Sequence, residues 1–223
     1  MRENSRNQNI SLYIEALILY IILFFSQTGF ALQSGGTGAE TANFSVSAGI
    51  IRIILNYIPS LALIWFIIIK NWKIEYWIIK PGKKDLISGV FTLPALLMIG
   101  FSVSFAHALT SGVQTQSAAP PNAALWIVIC VTCFLSAYLE ESFFRFYLLS
   151  RRNELNLSAP SALIFSTALF AICHINTGPW GFLNAALSGL FLGFMFLRYN
   201  SLHGIAIAHG FYNIIAFIIN TFI

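Results

Sequence analysis

The chain has 223 residues, of which 57% are hydrophobic and only 9% charged, and its mean hydropathy is +0.77. That balance excludes an ordinary soluble globular domain. The net charge of +4 would suggest nucleic acid in a soluble protein, but here the basic residues fall between apolar runs, where they report membrane orientation. The expected fold class is therefore all-α, a polytopic membrane bundle of about seven transmembrane helices forming one integral membrane domain over 1–223.

Apolar stretches near the length needed to cross a bilayer, roughly 20 residues, occur at 10 to 30, 48 to 69, 86 to 109, 124 to 149, 159 to 176, 181 to 197 and 202 to 222. The first follows Arg2 and Arg6 and contains Glu15. A competing reading makes residues 1 to 31 a signal peptide with small residues at Gly29 to Ala31. The length of the apolar run, Glu15 and the spans that follow favour a membrane helix. The second span carries Arg52, and Lys70, Lys73, Lys80, Lys83 and Lys84 come after it. These lysines set topology, although they could also attract anionic headgroups. His107 lies near the outer end of the third span.

The fourth span holds Cys130 and Cys133, which helical spacing makes packing residues ahead of a redox pair, and then Glu140, Glu141 and Arg145. Ser158 and Pro160 mark the start of the fifth span, and His174 lies near its end. Gly181, Ala185, Gly189 and Gly193 form a small-residue stripe on the sixth, suited to close helix packing within the bundle. The last carries His203, His209 and Asn213.

Arg151 and Arg152 follow the fourth span and Arg198 the sixth, whereas the connections 31 to 47, 110 to 123 and 177 to 180 contain no Lys or Arg. Only Arg52 and Arg145 of the twelve basic residues lie within spans, and the others share one side. By the positive-inside rule that side is cytoplasmic, so the amino terminus is expected inside and the carboxyl terminus outside.

Ionisable groups at membrane depth are costly and persist where they pair or do chemistry. Glu141 and Arg145, four residues apart, share a helix face and are expected to neutralise each other. Glu140 is turned about 100° away. In an apolar surround such a carboxylate can serve as a general base. Glu140 precedes Arg151 by as many residues as separate Arg198 from His209, placing both roughly 16 Å from the cytoplasmic edge. His174 would lie deeper, at about 21 Å in a straight helix.

The order Glu140-Glu141-x-x-x-Arg145, Phe170-x-x-x-His174 and His209-x-x-x-Asn213 on three helices resembles the CAAX protease and bacteriocin-processing enzyme family, also called Abi. The resemblance spans about 124 to 215, the expected protease core. It implies an intramembrane glutamate-type endopeptidase similar to type II CAAX prenyl endopeptidases. Glu140 and His174 would then activate a water, while His209 and Asn213 stabilise the oxyanion. Glu141, Arg145 and Phe170 would support the site. No cofactor or metal is expected. The implied partners are the bilayer and a membrane-anchored, prenylated or leader-type peptide, in a bacterial or archaeal cell membrane.

Single residues also have plainer readings. His203 and His107 are expected at interfaces, and Glu15 and Arg52 can snorkel from span ends. His174 alone could be interfacial, and Asn213 alone a helix-to-helix hydrogen bond. Two rival functions remain. One is metal-dependent hydrolysis, for which two histidines and a glutamate suffice, although no His-Glu-x-x-His helix is present. The other is a non-catalytic membrane immunity or regulatory protein.

Overall fold

A computed structural model describes residues 2–25, 45–71, 80–111 and 121–222. All described elements are helical. Helix α1 runs from Arg2–Tyr20 into Ile21–Phe25, and α2 comprises Val46–Arg52, Ile53–Tyr57 and Ile58–Asn71. Then come α3 (Lys83–Ser111), α4 (Ala123–Glu141 continued by Ser142–Leu149), α5 (Ala159–Cys173), α6 (Gly178–Tyr199) and α7 (Leu202–Phe222). Five of these are long and apolar enough to span a bilayer, while Ile10–Phe24 and Ala159–Cys173 are shorter apolar helices. The small residues Gly29 to Ala31, Lys73 and most of the two outer connections at 31 to 47 and 110 to 123 lie outside the described residues.

Local signals set the helix starts. The Asn122 side chain accepts the Leu125 amide at 2.8 Å, and Ser158 accepts that of Ser161 at 3.3 Å, so α4 and α5 each begin on a side-chain cap. Helix α6 ends at Asn200 in the left-handed conformation.

Helix α7 packs against α3 and α4, α6 against α3 and α5, and α2 against α4. The α3–α7 crossing depends on Gly204, where a methyl group would run into the Asp85 carbonyl. Asp85 ties the two helices together. One of its oxygens accepts the Ser201 hydroxyl at 2.6 Å and the other the Gly82 amide at 2.8 Å.

The second half of α4, Ser142–Leu149, adopts the wide π-type turn, and all eight of its residues are buried. Helices α2, α5, α6 and α7 surround it. A helix enclosed on every side has no lipid-facing stripe, so its sequence is apolar all round apart from Ser142 and Arg145.

Helix α1 joins this centre through side chains. Tyr20 and Phe24 pack on Phe143 and Phe144, with ring centroids 4.9 to 6.2 Å apart, and the Tyr20 hydroxyl donates to the Leu169 carbonyl at 2.9 Å. Glu15, expected to snorkel alone, is instead held at the end of α4. It accepts the Tyr147 hydroxyl at 2.6 Å and Arg151 Nη1 at 2.8 Å. An amphipathic partner was available in the basic pair just beyond that helix.

Candidate active site

The site is built from the junction of the two halves of α4, the end of α5 and the middle of α7. Glu141 is the last residue before the wide turn and is fully buried, as is Arg145. Glu141 Oε2 lies 3.2 Å from Arg145 Nε. The guanidinium also donates through Nη2 to the Gly189 carbonyl at 3.1 Å and rests over the Phe170 ring, 4.5 Å from its centroid. A buried cation is thus met by a carboxylate, a carbonyl and an aromatic face, which together offset part of its desolvation.

The other Glu141 oxygen does something that sequence spacing did not disclose. Oε1 accepts His209 Nδ1–H at 2.9 Å, fixing the ring and turning Nε2 outward. Glu140 Oε2 approaches that Nε2 at 3.7 Å, outside hydrogen-bond range, and has no hydrogen-bond partner among the described residues. His209 therefore sits between the two glutamates, so Glu141 both balances Arg145 and orients His209.

His174 caps the end of α5, its Nδ1–H donating to the Phe170 carbonyl at 2.9 Å. That bond leaves Nε2 with its lone pair in the neutral ring. Phe170 lies between the imidazoles, its centroid 4.8 Å from that of His174 and 6.1 Å from that of His209. His174, His209 and Asn213 line one cavity of about 410 Å³. Glu140 is not among its lining residues and meets the site through His209.

Gly189 and Gly193 of the small-residue stripe on α6 face α5. A methyl group at Gly189 would come within 2.8 Å of Phe170 Cδ1, and one at Gly193 would collide with Leu163. Gly189→Leu is accordingly expected to cost about 1–3 kcal/mol by overpacking and to displace Phe170 from beneath Arg145. A lowered thermal midpoint in detergent, with reduced turnover in the surviving folded fraction, checks this.

His107, expected at an interface, is exposed near the end of α3, lines the same cavity and stacks on Trp180 with centroids 5.5 Å apart. Its position near the end of a long span held no hint of a partner on α6. His203 is not part of the cavity lining and pairs through Nδ1 with the Tyr138 hydroxyl at 3.2 Å. Cys130, Cys133 and Cys173 carry free thiols, and Cys173 donates to the Tyr20 hydroxyl at 3.2 Å. Among the described residues no group of three or more His, Cys, Asp and Glu side chains is arranged to hold a metal ion.

The fold and site define a helical integral membrane protein with a buried cluster of carboxylates, imidazoles and an arginine beside a cavity. Residues 122–215 match the family model described as type II CAAX prenyl endopeptidase, Rce1-like, covering all three motifs. Over that segment, somewhat under half of its length, the chain is similar to the type II CAAX prenyl endopeptidases. No curated protein and no solved structure matches the chain.

Proposed function

We propose that the protein is a glutamate-type intramembrane endopeptidase that hydrolyses a peptide bond in a membrane-associated peptide, prenylated at its carboxyl terminus or of the leader type. The observation that carries the reading is His209 held between Glu140 and Glu141 at the edge of a cavity that also presents His174 and Asn213.

Water positioned by His174 attacks the scissile carbonyl at the edge of the cavity and gives its proton to Glu140, the carboxylate beside His209. The bare Nε2 of His174 suits it to holding that water, and Glu140 Oε2 has no competing hydrogen bond among the described residues. In its doubly protonated form His209 gives Nδ1–H to Glu141 and keeps Nε2–H for the developing oxyanion. The Asn213 amide, one turn further along α7, supplies a second donor. Each such donor is worth about 3 kcal/mol where oxyanion holes have been dissected. Collapse of the tetrahedral intermediate breaks the C–N bond and returns the proton to the leaving amine.

The test is cleavage-site mapping by mass spectrometry on the purified protein in bilayers, with and without a chelator. One defined scissile bond, cut equally well after chelation, is the expected result. Cleavage that disappears with chelation and returns with zinc would instead support metal-dependent hydrolysis, and the absence of any product would support a binding or immunity role.

A further inference from the structure

Two polar side chains on α6 stand on the wall of the cavity without any role in the chemistry above. Asn184 and Ser188 both line it, one helical turn apart. Asn184 Nδ2 donates to the Tyr212 hydroxyl at 2.8 Å, which fixes the amide and commits its donor side. Asn184 Oδ1 and Ser188 Oγ are both buried and have no hydrogen-bond partner among the described residues. Ser188 as a whole is only 5% exposed. Buried acceptors of this kind are ordinarily satisfied by another group, because leaving them unmade costs free energy.

Their spacing selects a ligand. Residues four apart on a helix are separated by about 6 Å along its axis. An extended peptide repeats the amide N–H groups on one of its edges every two residues, about 6.7 Å. Two acceptors one turn apart therefore match alternate N–H groups of an extended strand. Ala185, with its short side chain, lies between them on the cavity wall and lets a backbone come close.

We infer that Asn184 and Ser188 form a backbone-recognition subsite, in which Asn184 Oδ1 and Ser188 Oγ accept amide N–H groups two residues apart on an extended peptide lying along α6. The inference rests on the protease reading for the identity of the peptide as substrate. Its recognition of main chain rather than side chains would let one enzyme accept peptides of varied sequence. Both are positioning residues, since the reacting atoms meet Glu140, His174, His209 and Asn213.

The experiment measures binding, so that it stands apart from turnover. A fluorescent, lipid-anchored peptide is titrated into the Glu140→Gln protein in nanodiscs, and the titration is repeated with peptides N-methylated singly at each successive position. The expected pattern is two weakening positions separated by one insensitive position, and about a tenfold loss when both sensitive amides are methylated, as for two neutral hydrogen bonds. Asn184→Leu/Ser188→Ala in the same background should bind the unmethylated peptide about tenfold more weakly and lose the methylation pattern. If methylation weakens binding equally in both proteins, or in neither, the two oxygens hold ordered water only and the subsite does not exist. Failure of the protease reading would show differently, as a wild-type protein that binds the peptide with this pattern and never cuts it.

Discussion

Glu140→Gln is expected to reduce peptide cleavage by about 10³-fold, within the range attributed to general acid–base catalysis, while leaving the folded protein intact. The substitution keeps the volume and polarity of the side chain and removes its ability to take a proton. Structure gives little reason for collapse, because Glu140 Oε2 carries no hydrogen bond among the described residues and its side chain is 18% exposed. The nearest imidazole, that of His209, stays anchored through its other nitrogen to Glu141. Turnover of the mapped scissile bond and the thermal midpoint in detergent are the two measurements. Undiminished turnover would remove Glu140 from the chemistry, and a protein that fails to fold would make it a structural ion instead.

The neighbouring substitution should fail in a different way. Glu141→Gln removes the charge that faces Arg145 at 3.2 Å and weakens the acceptor for His209 at 2.9 Å. Breaking a buried pair from one side leaves an uncompensated charge, at a cost of about 3–5 kcal/mol. The carbonyl of Gly189 and the Phe170 ring still touch the guanidinium, which places the expected loss at the lower end of that range. Adding Arg145→Met should restore much of the stability, since the stranded cation is then gone. Turnover should stay low in the double variant because His209 has lost its orienting carboxylate. Recovery of both properties together would mean that Glu141 serves Arg145 alone.

Much of the architecture was legible because membrane spans are written in hydropathy. The expected spans 124 to 149 and 202 to 222 meet Ala123–Leu149 and Leu202–Phe222 almost end for end. The Glu141–Arg145 contact was legible for a similar reason, since i,i+4 neighbours are fixed by the helix itself. The second bond of Glu141 was not, because a contact between α4 and α7 depends on how two helices rotate against each other. The wide turn of Ser142–Leu149 was equally hidden. Where every side is buried, apolar periodicity fades, and nothing distinguishes a π-type run from an α-helix. That turn also compresses the chain between Glu140 and Arg151, so the depth inferred from α-helical rise is an upper value. The partners of Glu15 and His107 were hidden because single ionisable residues near span ends look alike whether or not another helix meets them.

The brevity of α5 has a consequence for the supply of water. Ala159–Cys173 would cover roughly 22 Å as an α-helix, against about 30 Å of hydrocarbon in a typical bilayer. Such a mismatch is relieved by local thinning of the membrane around the short element. His174 terminates that helix, so under the proposed mechanism such thinning would fall next to the imidazole that handles the attacking water. Hydrolysis consumes one water per bond cut, in the solvent where water is scarcest. On the proposed mechanism, a truncated helix would bring the aqueous boundary towards the reaction.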